Sequence, residues 1–222
     1  MKKLLVLILL LLSSSAYAAQ YEYVMKYRVD NIDKAVGTNW TVVKEGSTTV
    51  MKNVTAGLTQ TAKCDEKGAT VEWSMQAQMK PGEKTDLKGY RKENKIYVEG
   101  ILQNKDFKKV FDIDEKPWYQ FIDMQMSPFI NADKDYIEYW LVGQKPDFEA
   151  FTMSMKKTTK ETLTILDKET ACQKLEWRMT GLLSLLWSSE YWFRLSDGIS
   201  MKFQMPGGND PKVTTELVKE VK

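Results

Sequence analysis

The side chains able to carry out chemistry are few, and the commonest are missing. The chain has no histidine. That removes Ser-His-Asp and Cys-His catalysis, the usual general base near neutral pH, and imidazole metal sites. Its two cysteines, Cys64 and Cys172, are too few for a structural zinc site without histidine partners. The acidic runs Asp112-Ile113-Asp114-Glu115 and Asp133-Lys134-Asp135 lack the glycine and oxygen-ligand spacing of a calcium loop. A carboxylate pair for glycoside hydrolysis needs two acids set apart from the rest, and nothing in the sequence sets one pair apart. The expectation is a protein that is not an enzyme and has no cofactor or metal.

Arg178 and Arg194 flank an apolar link in the last third of the chain. A guanidinium there is suited to a phosphate or carboxylate head group, or to a cross-strand ion pair with Glu176 or Glu190. The other chemistry within reach is apolar recognition. Tyr23, Met25, Trp73, Met75, Met153, Met155, Trp177, Met179, Phe193, Met201 and Phe203 all stand on apolar registers of alternating segments. Methionine is flexible and polarizable and fits variable apolar partners. Trp73, Met75, Trp177, Met179, Phe193, Met201 and Phe203 are therefore the candidate ligand-binding residues, the alternative being an ordinary core. The link itself, Leu182, Leu183, Leu185, Leu186 and Trp187, is too apolar for a solvated loop. It is a candidate contact for a partner protein or a membrane surface, unless it folds inward or continues two paired strands.

The elements that must position these residues read as strands. Tyr21, Tyr23, Met25, Tyr27 and Val29 alternate with mostly polar neighbours, as in a half-buried strand. Trp40 to Val43 is a short candidate. Thr48 to Lys63 is long, with Gly57 a bulge or bend. Val71 to Met79 alternates cleanly, and Pro81-Gly82 ends it. Thr85 to Lys92 and Lys95 to Gln103 form a hairpin turning at Glu93-Asn94, and Phe107 to Ile113 follows. The period then changes. Trp118, Phe121, Ile122, Met126 and Phe129 fall at helical spacing behind Pro117, with Asp123 and Gln125 facing elsewhere, and Pro128 ends the regular part. Strands resume at Tyr136 to Val142 and continue through Phe151 to Met155, Leu163 to Ile165, Cys172 to Met205, and Val213 to Leu217. In all, about ten to twelve strands joined by short turns favour antiparallel pairing in one domain.

Residues 1–19 form a secretory signal peptide. Lys2 and Lys3 precede the apolar run Leu4 to Leu12, and Ala16-Tyr17-Ala18 has the small-x-small pattern of a cleavage site. Residues 20–222 form the single β-rich domain, expected in the periplasm. Without Lys2 and Lys3 the basic count falls from 32 to 30 and equals the 30 acids. With no basic stripe, nucleic acid is not an expected partner. No later apolar run reaches membrane-helix length, so the mature chain has no transmembrane helix. Two states are open to the cysteines in an oxidising compartment. A disulfide closing so long a loop stabilises by roughly 4–5 kcal/mol. Parity argues for separate thiols, because Cys64 shares the inward register of its segment and Cys172 lies opposite that of its own.

KETACQKLEWRMTG, SSEYWFRLSDGISMKF and GGNDPKVTTELV, within Leu163 to Leu217, resemble uncharacterised exported bacterial proteins of the class containing the lipoprotein carriers LolA and LolB. The resemblance implies a curved antiparallel sheet wrapped around a helical plug, with an apolar cavity for acyl chains. The order of elements agrees: a large one-face-apolar sheet must cover its dry face, and the single mid-chain helix can cover it. The expected fold is mainly β, a half-barrel around one central helix. The leading function is periplasmic binding of an apolar ligand, a lipid or acyl chain. The alternatives are a cell-envelope structural or interaction module with a protein partner and no ligand, and an outer-membrane barrel. The barrel lacks support in the terminal Glu-Val-Lys and the mid-chain helix.

Overall fold

The computed structural model describes residues 17–29, 32–78, 80–143, 148–181, 188–205 and 213–221. The strands are β1 (Tyr17–Val29), β2 (Ile32–Glu45), β3 (Thr48–Thr55), β4 (Leu58–Cys64), β5 (Thr70–Ala77), β6 (Thr85–Lys92), β7 (Lys95–Leu102) and β8 (Lys105–Asp112). Two one-turn helices follow, α1 (Ile122–Gln125) and α2 (Ser127–Ile130). Then come β9 (Tyr136–Gly143), β10 (Glu149–Ile165), β11 (Lys168–Met179), β12 (Ser188–Arg194), β13 (Ser200–Met205) and β14 (Val213–Val221).

Among the described residues these form one fourteen-stranded antiparallel sheet, in the order β8-β7-β6-β5-β4-β3-β2-β1-β14-β13-β12-β11-β10-β9. Every strand lies beside its neighbour in sequence, and β1 pairs with β14 across the middle. The one break in this succession falls between β8 and β9, and residues 113–135 run through it. The result is the expected curved sheet, left unclosed. The connecting segment supplies what lies inside it.

The single helix read from Pro117 is instead an extended stretch followed by α1 and α2. Pro117 O accepts from Trp140 N (2.8 Å) and Tyr119 N donates to Trp140 O (2.9 Å). The stretch thus caps the free edge of β9, which would otherwise present unpaired backbone groups. Met126 ends α1 and caps α2, where Pro128 occupies the first turn, so the chain turns instead of continuing one helix.

The long segment Thr48 to Lys63 is a hairpin of β3 and β4. Gly57 turns it at φ 73°, a conformation open to glycine at low cost. Met51 and Asn53 face inward from β3 and Ala62 and Cys64 from β4. β2 extends well beyond Trp40 to Val43. Its first half is mostly exposed and is held by a ladder to β1, in which Arg28 pairs with Asp33 and Met25 with Val36. β1 includes Tyr17 to Ala19, paired with Lys44 to Val42. The boundary expected at residue 19 therefore falls inside a strand.

Two apolar clusters fill the interior. The first unites β1 to β8 with Trp118, Phe121, Met124, Val142, Phe148 and Met201. The second unites Tyr119, Ile122, Met126, Phe129 and Ile130 with Tyr139, Met153, Met155, Leu175, Tyr191, Phe193 and Phe203. Val142 and Tyr139 stand on opposite faces of β9 and both are buried, one in each cluster. The edge strand thus lies between the two clusters, and α1 contributes to both. No helix of the described residues is long and apolar enough to cross a membrane.

Candidate functional site

The connecting segment is held by polar contacts on the side of the first cluster. Arg91 of β6 donates to Lys116 O (2.6 Å) and Asp114 O (2.9 Å). Thr70 N at the start of β5 donates to Trp118 O (2.7 Å), and Gln120 N donates to Thr70 Oγ1 (3.1 Å). Asp114 accepts from Lys116 and from Trp140 Nε1 (2.8 Å). The Lys116 hydrogen bond is the main reason its carboxyl is held down at about 2.

Gln125 closes this flank. Its Nε2 donates to Gly68 O (2.7 Å), Thr70 Oγ1 (2.9 Å) and Cys64 Sγ (3.3 Å), and its Oε1 accepts from Phe121 N. The side chain is fully buried. Polar spacing on the helix predicted that Gln125 faces away from the core. It faces inward because its helix has sheet on both sides.

Asp123, also expected to face away, points into the other flank. Burial is the first cause that lifts the phenols of Tyr23 (β1), Tyr139 (β9) and Tyr191 (β12) well above the ordinary tyrosine value, and the Asp123 charge adds to it. Desolvation pushes the Asp123 carboxyl up to about 6, opposed only by its own backbone N–H. No hydrogen bond or ion pair from another described residue reaches it. Tyr23 Oη is committed to Ser200 O (2.8 Å). Asp123 nevertheless keeps part of its surface open.

The wall opposite α1 is aromatic. Tyr191 stacks on Phe193 at 5.4 Å between ring centres and meets Phe203 at 4.5 Å and Trp177 at 5.6 Å. At one end of these strands the inward row opens: Leu141 beside Phe151, then Met179, then Met205 beside Val213, are all partly buried and packed on the second cluster. Ser189, opposite Trp177 in this row, is fully buried with a hydroxyl that meets no hydrogen-bond partner among the described residues.

The seven candidate ligand-binding residues do not form one surface. Trp177, Met179, Phe193 and Phe203 belong with the second cluster. Trp73, Met75 and Met201 belong to the first. Met201 parts from Phe203 because the register slips between Trp192 and Phe193, which pairs Tyr191 with Phe203 but Phe193 with Ser200. Trp73 is anchored by its indole N–H to Gln60 Oε1 (3.1 Å) and packs on Phe148. The candidate contact residues Leu182, Leu183, Leu185, Leu186 and Trp187 lie outside the described residues.

Of the two cysteine states left open, the structure has the one that parity favoured: Cys64 and Cys172 are separate buried thiols. Six strands stand between β4 and β11 in the sheet order. Cys64 is engaged by Gln125, and Cys172 Sγ donates to Thr170 O (3.5 Å). Both arginines make ion pairs. Neither is the expected cross-strand pair: Arg178 meets Glu176 of its own strand, and Arg194 forks onto Asp197 and Glu220 at 2.6–2.8 Å. Outside the sheet, a groove of about 650 Å³ runs along β6, β7 and β8. Its acids Asp86, Glu99 and Asp106 are interleaved with Lys88 and Lys108, so its charges largely offset one another.

No protein-family model and no curated protein matches the chain. Among solved structures, the chain is similar to a beta-barrel-like protein of a domain of unknown function, DUF1849, from Brucella abortus. That likeness has a TM-score of 0.64 at 10% identity and covers 92% of this chain and 97% of that one. It is a likeness of fold. Weaker likenesses are to the hypothetical lipoprotein YmcC from Escherichia coli (TM-score 0.40, 13% identity, 89% and 86% covered) and to a DUF1329 family protein from Desulfovibrio piger (TM-score 0.31, 10% identity, 93% and 86% covered).

Proposed function

We propose that this chain is an exported, periplasmic, non-enzymatic protein that holds an apolar ligand, a lipid or acyl chain, inside its unclosed sheet. The observation that carries this reading is the partly open row Leu141, Phe151, Met179, Met205 and Val213 at one end of the aromatic wall. A packed core closes such a row, whereas a ligand entrance leaves it apolar and accessible. Methionine at two of the five positions suits a chain of variable shape. The basic, apolar and small-residue succession of residues 2–19 supports export.

The test is native mass spectrometry, with organic extraction, of protein purified from its own cells without detergent. The expected result is a copurifying apolar molecule that is lost when Met179 and Phe151 are both changed to polar residues. Recovery of an empty protein that still captures an envelope protein would favour the interaction-module reading.

A further inference from the structure

We propose that the outer face of the sheet carries a second site, a valley that takes a linear, uncharged glycan strand along its length. It is independent of the interior ligand proposed above. Two grooves of about 620 Å³ and about 650 Å³ lie on this face, and Asp86 lines both. The strand register joins them. Val54 of β3 pairs with Thr59, Thr59 with Gln76, and Gln76 with Asp86. Asp86 pairs in turn with Ile101, and Ile101 with Asp106 of β8. Each residue of this row lines one groove or the other. The row continues through Asn39, opposite Val54, to Glu22, opposite Asn39, and both line a third cavity of about 230 Å³. The three cavities thus follow one line across β1 to β8. With neighbouring strands about 4.8 Å apart, that line is roughly 34 Å long.

The chemistry of the line selects its occupant. A hydrocarbon chain needs an apolar wall, and the row offers only Val54 and Ile101. A polyanion needs a basic stripe, whereas the charges here are offset. Glu22 meets Lys219 at 3.9 Å, Asp86 meets Lys84 at 3.4 Å, and the groove over β6 to β8 alternates acids with lysines. An extended peptide binds a sheet along a free edge, and β1 to β7 are paired on both sides.

What the row presents is amide, hydroxyl and carboxylate on successive strands. Asn39, Thr59, Gln76 and Asp106 are exposed or half-buried, and among the described residues none is committed to a side-chain hydrogen bond or ion pair. Elsewhere on the same face such groups are taken up, as in Lys63 with Glu72 at 3.7 Å and Lys95 with Asp112 at 3.1 Å. Amides and hydroxyls both donate and accept, which is what the hydroxyls of a sugar require. Val54 and Ile101 can pack against the C–H face of a pyranose ring. The strand spacing is close to the length of one pyranose unit, so successive strands meet successive sugars.

The experiment titrates the full mature protein with cellohexaose, chitohexaose, chitobiose and hexagalacturonate by calorimetry. At least one neutral hexasaccharide is expected to bind, about tenfold or more tightly than the disaccharide, because each added sugar meets its strand at raised effective concentration. It should also bind more tightly than the anionic hexagalacturonate. Thr59→Val combined with Gln76→Ala is expected to weaken the hexasaccharide about tenfold, the size of one or two hydrogen bonds. Lys63→Ala, on the same face beyond the line, should leave binding unchanged. Should the double variant fail to fold, the preferences for length and for neutral charge in the wild-type protein still decide. Failure of both neutral hexasaccharides to bind, equal binding of hexagalacturonate, or affinity that survives the double variant overturns the proposal.

Discussion

The two flanks of the connecting segment treat neighbouring polar residues of α1 in opposite ways. On the side of β4 and β5, Gln125 is buried and every polar group it can offer is met within the protein. Asp123, whose charge reaches the phenols of Tyr23, Tyr139 and Tyr191, is desolvated by burial and accepts only from its own backbone among the described residues. A fully satisfied buried amide contributes to a unique packing. An unsatisfied buried charge costs stability, and a fold retains it where it serves another purpose. The contrast sets a satisfied flank against an unsatisfied one, and it can be broken by mutation.

The largest effect is expected at Gln125. Gln125→Leu strands Phe121 N and Gly68 O in a dry interior, while Thr70 Oγ1 keeps Gln120 N, a loss of about 3–4 kcal/mol on ordinary values for buried unmade hydrogen bonds. Urea unfolding should show the midpoint falling with little change in slope. An unchanged midpoint would mean that water or another donor reaches this flank, and the contrast would vanish.

Asp123→Asn should act in the other direction. The free carboxyl value of 3.8 is raised to about 6 in the folded protein. Below pH 3.8 the acid is protonated both folded and unfolded, and nothing is lost. Between pH 3.8 and about 6 the unfolded chain ionises this acid while the folded state keeps it protonated, so stability falls by up to about 3 kcal/mol and is level above 6, from roughly 1.4 kcal/mol for each tenfold change in the acid's ionisation constant. The variant should therefore melt several degrees above wild type at pH 8 and level with it at pH 4. A variant less stable at pH 8 would reveal a hidden partner for Asp123.

Two glycine turns sharpen the comparison. Gly198, at φ +70°, lies against α2 so closely that an added Cβ would sit 2.3 Å from Ser127 Cα. Gly68, at φ +80°, has its nearest neighbours at 3.4 Å, Gln125 O and Pro128 Cγ. Gly198→Ala should cost about 2–3 kcal/mol, from backbone strain and displacement of α2, and Gly68→Ala about 1 kcal/mol from strain alone. Equal costs would show that α2 is not seated on the β12–β13 turn.

The strands of the fold were legible because alternation reports a half-buried face directly. Thr85 to Lys92 and Lys95 to Gln103 were read as a hairpin, and β6 and β7 form it with β7 ending one residue earlier at Leu102, while the Tyr21 to Val29 alternation lies within β1. The first half of β2 was not legible, since Asp33, Lys34 and Ala35 are exposed and show no apolar alternation, although they pair with β1. Trp192 misleads in another way. It is nearly buried on a register shared with charged residues, covered by the Lys174 and Lys202 ammonium groups 5.0 and 5.6 Å from its ring. The site was the least legible part. Helical spacing assigns Asp123 and Gln125 to water because it counts one apolar face. It cannot represent a segment with a wall on each side.

The smallest effects belong to the thiols, and they test the flanks most finely. Burial is the first cause that pushes Cys64 up to about 12 and Cys172 up to about 11. At pH 8 neither is a thiolate, and neither is exposed, so both should resist iodoacetamide until the protein unfolds. Cys64→Ser keeps an acceptor for Gln125 Nε2 and should cost about 1 kcal/mol or less, on the scale of one hydrogen bond changed in kind. The informative comparison is labelling in Gln125→Leu. Cys64 touches the lost amide and Cys172 does not, so the variant should open Cys64 to the reagent first while Cys172 keeps its wild-type rate. If both thiols accelerate together, the segment unlatches from both clusters at once, and the two flanks are one cooperative unit instead of two that open separately.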